Sequence, residues 1–190
     1  MKGPSILSKK KGFYDRSGPN FRGGRLVGVL AHFVAQPSKF SQRLYAVSPV
    51  ARSSKVKFEE GKSIYKVMRD KRSSGWANKH RFEIADQLAE MFVDFMSLGI
   101  AHRDLHSSNI ILKRGKDGKP IVKAIDFEFA RTLDQSVVNE LYEDRCLNEM
   151  GMDLEGVKSA ALNLSKNNAE REELRRYFNR KFEKLVKERL

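Results

Sequence analysis

The chain has 190 residues, 40% of them hydrophobic, and carries 37 Lys and Arg against 24 Asp and Glu, a formal net charge of +13. That length holds one domain or a small two-lobed one, and the apolar fraction excludes wholesale disorder. Cys146 is the only cysteine, which excludes an internal disulfide framework, and the longest apolar stretch, Leu26 to Ala35, is broken by His32 and too short to span a bilayer.

The charge is unevenly spread. Residues 1–58 hold 12 Lys and Arg against one acid, Asp15, and no carboxylate lies between Arg16 and Phe58. Such a field favours an anionic partner, whether nucleotide phosphates, a nucleic acid such as RNA, an acidic protein or an anionic membrane, with a plain solvated basic surface as the competing reading. Lys9, Lys10 and Lys11 follow Ile6 and Leu7 with no apolar stretch behind them. No secretory signal is therefore expected, and the expected location is the cytoplasm, or the host-cell cytosol for a secreted effector.

Along the chain, residues 1–24 are rich in Lys, Gly, Ser and Pro and read as loosely ordered. Leu26–Gln36 reads as a short helix or a strand, with Gly28 weakening both. Arg43–Val50 and Lys55–Gly61 read as strands. Gly61–Lys71 reads as a short helix, ended by the Ser73-Ser74-Gly75 break, with Tyr65 and Trp76 as packing residues. Asn78–Leu98 is the clearest helix. Phe82, Ala85, Leu88, Phe92 and Phe95 recur at helical spacing, acids fill the opposite face, and Gly99 stands at the C-cap position.

Asn109–Lys113, an Asp117-Gly118 turn and Ile121–Ile125 then read as a β-hairpin. After Arg131 the chain reads as mostly helical. Asn167 or Asn168 would cap a last helix with an apolar stripe of Leu174, Phe178, Phe182 and Leu185 and a solvated basic face.

The stretch Gly99–Leu112, "GIAHRDLHSSNIIL", sets polar groups directly beside a run that wants burial. A hairpin resolves this. Residues just before its first strand and just after its second share one open end, so Asp104, Asn109 and Asp126 can converge there. Ile110, Ile111, Leu112, Val122 and Ile125 anchor the strands below. Two carboxylates and an amide form a hard-oxygen set that suits Mg²⁺ carried with substrate phosphates. The plain alternative is a polar hairpin rim of caps and turns.

"HRDLHSSN", residues 102–109, resembles the protein-kinase catalytic loop, and "IDFE", residues 125–128, resembles its metal-binding D-F-G with Glu in place of Gly. The resemblance implies an α+β, minimal bilobal protein-kinase-like fold. Residues 1–60 would form a reduced, basic, β-rich small lobe and hinge strand. Residues 61–190 would form a truncated, mostly helical large lobe with the catalytic loop at 102–109 and the metal motif at 126–128. It implies ATP and Mg²⁺, with Asp104 as the base that orients the acceptor hydroxyl and Asn109 and Asp126 on the metal. Glu128 would add a carboxylate near the metal, His102 and Arg103 would shape the loop, and Glu59 would lie in the cofactor-binding hinge.

The departures matter as much. His106 stands where protein Ser/Thr kinases place Lys and resembles the aminoglycoside phosphotransferases, with a structural hydrogen bond as its other reading. "IDFE" also resembles the choline and ethanolamine kinases. No A-P-E motif follows, and only 59 residues remain after Arg131. RIO kinases, lipopolysaccharide kinases and secreted bacterial effector kinases are similarly trimmed. No G-x-G-x-x-G precedes residue 43, and no Glu before Glu59 can pair a strand lysine. One of Lys9, Lys10 and Lys11 is the candidate lysine, with a solvated basic tail as the plain reading, and Arg22 and Arg25 are candidates to hold phosphates. The expected function is an ATP-dependent phosphotransferase, first a minimal Ser/Thr protein kinase acting on a protein substrate. The alternatives are a small-molecule or lipopolysaccharide-sugar kinase and a catalytically impaired kinase-like binding module.

Overall fold

The computed structural model describes residues 13–17, 30–48, 53–57, 59–133 and 147–190, with the backbone alone described at 13–17, 44–48, 53–57 and 147–149. Lys10, Arg22, Arg25 and Cys146 lie outside the described residues, as does half of the basic stretch 1–58.

Strands β1 (Phe13–Ser17), β2 (Leu44–Ser48) and β3 (Ser53–Lys57) form one antiparallel sheet in the order β1-β3-β2. Phe13 faces Lys57 and Ser17 faces Ser53. A strand at 13–17 departs from the loose order that composition suggests. Its ladder is made with a distant segment, which local composition cannot reveal. β3 also starts earlier than expected, at Ser53, and the following Lys62–Ser63 is a separate short strand, β4. Residues 30–34 are helical, which resolves the helix-or-strand ambiguity for the described part of that stretch.

The chain after this helical turn is laced to the rest of the molecule. The Ala124 N–H donates to the Phe40 carbonyl at 2.7 Å, the Gln42 N–H to the Ala124 carbonyl at 3.1 Å, and the Ser38 hydroxyl to Asp94 at 3.0 Å.

Helix α1 (Ile64–Arg69) starts on the Ser63 side chain, which accepts from the Lys66 N–H. Helix α2 (Lys71–Lys79) runs straight through Ser73-Ser74-Gly75, where a break was expected. Asp70 explains it. Its N–H closes α1, and its carboxylate accepts from the Arg72 N–H at 3.0 Å to cap α2. A bond from Lys62 holds the Asp70 carboxyl down at about 2. Gly75 has nothing within 4 Å of where a side chain would begin, so it costs only the roughly 1 kcal/mol of any helical glycine. Tyr65, read from the sequence as a packing residue, is 47% exposed.

Helix α3 (Arg81–Ser97) is the central pillar. Ile84, Ala85, Leu88, Met91, Phe92 and Phe95 are buried along it. Gly99, at φ 63°, ends it in the left-handed conformation that glycine adopts most readily. β5 (Ile100–Ala101) pairs with β8 (Arg131–Thr132). β6 (Ile110–Arg114) and β7 (Pro120–Ala124) form the expected hairpin, with Ile110 opposite Ala124, and β4 joins it in the order β4-β6-β7.

Helices α4 (Leu147–Leu162) and α5 (Asn168–Arg189) pack against α3. Asn167 caps α5 by accepting the Glu170 N–H at 2.9 Å. Leu174, Phe178 and Leu185 are buried on α3, and Phe182 meets Phe92 with ring centroids 5.8 Å apart. Among the described residues no helix is long and apolar enough to cross a membrane.

Candidate active site

The loop His102–Asn109 joins β5 to β6 and has a buried floor and a wetter rim. His102 is the floor. It is fully buried, and its Nε2–H donates to the Ile125 carbonyl at 3.0 Å, tying the loop to the residue before Asp126. Its Nδ1 has no hydrogen-bond partner. Burial pushes its pKa down to about 4, although the Ile125 carbonyl and the carboxylates of Asp126 and Asp104 pull it up. The ring is therefore neutral near pH 7.

Phe127 packs on His102 at 4.6 Å, stacks on His32 at 4.4 Å with the rings 3° from parallel, and meets Phe95 edge-on at 5.7 Å. His32 itself donates from Nε2 to the Gln42 carbonyl. The turn carrying Asp126 is thus clamped by aromatic rings from three separate segments.

Asp153, on α4, completes the floor. It is 2% exposed and accepts the backbone N–H of Arg103 at 2.8 Å and of Leu105 at 3.2 Å, with that of His102 as a third donor. Burial raises its pKa while these three donors pull it down. One turn further along α4, Gly156 abuts the loop. A Cβ there would fall 2.0 Å from the Leu105 carbonyl oxygen. Only a glycine lets the helix backbone approach the loop so closely.

The rim holds the groups the sequence singles out. The Asn109 amide nitrogen donates to the Asp104 carbonyl at 3.0 Å and to its Oδ2 at 2.8 Å. The Ser108 N–H donates to His106 Nδ1 at 3.1 Å. The His106 ring proton therefore sits on Nε2, which lies 3.3 Å from Asp104 Oδ1. Both carboxylate oxygens of Asp104 are held, each by a different side chain. Both Asn109 side-chain bonds use nitrogen, which leaves its carbonyl oxygen as the acceptor end.

The Ile125 N–H donates to the Asn109 carbonyl at 2.9 Å, so the hairpin brings Asp126 beside this loop as the spacing predicted. Among the described residues the only non-glycine positions with positive φ are Arg103 (66°) and Asp126 (67°). Backbone held in this sparsely used region concentrates at functional sites.

Glu128 is half-buried in the 3₁₀ turn Phe127–Phe129, and Glu59 is half-buried between β3 and β4. Among the described residues no three His, Cys, Asp or Glu side chains gather into a metal-binding group. Asp104, Asp126 and Glu128 therefore do not form a three-carboxylate cluster. Asn109 and Asp126 offer hard oxygens, and a site with so few protein donors fits a cation whose other ligands are phosphate oxygens.

Sequence reasoning missed Asp153, Gly156 and His32. A signal for the first was present: Asp153 falls on the apolar stripe of α4 with Met150, Val157 and Ala160, all buried. A carboxylate at such a position needs partners to be retained.

No curated protein matches the chain. The family model for the lipopolysaccharide kinase (Kdo/WaaP) family matches residues 56–178, well over half of the chain and the whole of the loop, hairpin and α4. With its loop, metal-motif turn and supporting helix in that order, the chain belongs to the lipopolysaccharide kinase (Kdo/WaaP) family and is a kinase.

Proposed function

We propose that this chain transfers the γ-phosphoryl group of ATP to a hydroxyl of a lipopolysaccharide sugar. The acceptor oxygen forms its bond to the γ-phosphorus as the bond to the ADP oxygen breaks, and Asp104 takes the hydroxyl proton. Asn109 and Asp126 would hold Mg²⁺, which when bound neutralises phosphate charge. Phosphoryl transfer asks chiefly for positioning and charge stabilisation, so this small set suffices.

The observation that carries the reading is the fixing of Asp104 by Asn109 and His106, on a loop inside the family match. His106 is here a positioning residue. Its Nε2, 3.3 Å from Asp104 Oδ1, fixes the carboxylate on the side away from Asn109. The family match also favours a sugar acceptor over the protein acceptor that the loop motif first suggests.

The test is transfer from labelled ATP with Mg²⁺ to deacylated lipopolysaccharide core, with protein acceptors alongside. Label on the sugar, lost in Asp104→Ala and in Asp126→Ala, is expected. Label on protein alone would refute the sugar reading, and label unchanged in both variants would refute the site.

A further inference from the structure

Between Gly61 and Phe82 the chain carries seven Lys and Arg and one acid, Asp70, which Lys62 already holds. Four of these cations, Lys66, Arg69, Lys71 and Arg72, are exposed on α1 and the start of α2, and none has a carboxylate partner among the described residues. The other basic surface differs. On α5, Arg175 pairs with Glu172 at 3.5 Å, Lys181 with Asp86 at 3.6 Å, Lys184 with Glu188 at 3.7 Å and Arg189 with Asp94 at 2.7 Å. Four of the eight cations of α5 are thus neutralised where they stand. Those of α1 are not.

The un-neutralised face lies against the site. The Tyr65 N–H donates to the Ser107 carbonyl at 3.0 Å, in the loop between Asp104 and Asn109. The Tyr65 ring is half exposed, and the Arg69 guanidinium sits over it, 4.9 Å from its centroid, with a bond to the Tyr65 hydroxyl. The cation–π contact and the bond to the hydroxyl hold the guanidinium beside the ring and leave further N–H groups to reach an oxyanion. An exposed aromatic face beside a held fork of donors matches a sugar ring that bears an acid group.

We propose that Tyr65, Lys66 and Arg69 form an acceptor subsite for the phosphate or carboxylate of an anionic saccharide. The proposal rests on the sugar-kinase reading and specifies which sugars that site takes. Charge, and not the sugar ring alone, selects the acceptor here.

Two measurements test it. In the first, phosphorylated, carboxylated and neutral oligosaccharides of equal size are titrated onto the full chain without ATP. Both acidic sugars should bind more tightly than the neutral one, less so at high salt, and the stronger acidic arm identifies the preferred group. In the second, Lys66→Ala with Arg69→Ala should raise the KM for an acidic acceptor about tenfold at little change in kcat or in the KM for ATP. Arg69→Lys should restore only part, since it keeps the charge and loses the stacked fork. Arg176→Ala on α5 is the matched control and should behave as the parent.

Equal binding of neutral and acidic sugars overturns the subsite. So does a double variant with unchanged acceptor KM, even where sugar phosphorylation stands. Selective binding of acidic sugars with transfer only to protein would keep the subsite and remove the sugar-kinase reading.

Discussion

The floor and the rim of one eight-residue loop are built from opposite materials. The floor is His102 and Asp153, both buried, both bonded to backbone, and both shifted by burial toward their neutral forms. The rim is Asp104, His106 and Asn109, half exposed and bonded to one another. The floor spends its polar groups on shape, because a desolvated group must find partners where it stands. The rim leaves its groups within reach of water and ligand. Substitutions in the two layers should therefore fail in different ways.

The sharpest separation comes from Asp104→Asn against Asp153→Ala. Loss of a general base typically removes a hundred- to ten-thousandfold of rate, so Asp104→Asn should lose about a thousandfold of kcat. Its melting temperature should barely move, because surface changes stay within about 0.5 kcal/mol. Asp153→Ala touches no reactant, yet leaves the N–H groups of His102, Arg103 and Leu105 without their acceptor. It should cost about 3 kcal/mol of stability, read as a lower melting temperature and urea midpoint. A stable, inactive Asp153→Ala would show that the division between layers is misdrawn.

Gly156 tests the same division through backbone approach. Gly156→Ala adds one methyl group aimed at the Leu105 carbonyl, a backbone atom that cannot swing aside. An overpacked contact of this kind costs about 1–3 kcal/mol. Because Leu105 follows Asp104 directly, the strain should also lower kcat. A Gly156→Ala chain with parental kcat and melting temperature would mean that α4 is not held against the loop.

Most of the rim could be read from the sequence, and most of the floor could not. Asp104, Asn109 and Asp126 follow from a hairpin whose turn, strands and flanking helix are all local patterns. The α3 and α5 stripes were legible for the same reason: helical spacing is a short-range signal. β1 was not, because its partner β3 lies far along the chain. The run of α2 through Ser73-Ser74-Gly75 was missed because one residue, Asp70, both ends α1 and starts α2. Asp153 lies 48 residues beyond Leu105. Only its place on an apolar stripe hinted at burial, and nothing local named its partners. Tyr65 was misjudged on composition alone, since an aromatic ring beside an apolar residue usually packs inward.

The floor should also answer to pH, and here its two members oppose each other. His102 has a native pKa of about 4 against an ordinary value of 6.5. On acidification the unfolded chain takes up this proton first, so native stability is fully present above pH 6.5 and is lost as pH falls toward 4. At pH 5 the loss amounts to about 2 kcal/mol. Asp153 acts in the reverse sense. Burial raises its native pKa, so the folded chain binds that proton before the unfolded chain does and gains stability as pH falls. Thermal melts of the parent and of His102→Gln, which keeps an amide donor for the Ile125 carbonyl but cannot titrate, should separate the two. The parent should lose more stability than His102→Gln between pH 7 and pH 5. In an Asp153→Asn background, which removes the opposing proton, the acid loss should steepen. Parallel pH curves for the parent and His102→Gln would mean that the imidazole is not desolvated, and with it the buried floor would lose its defining contrast with the rim.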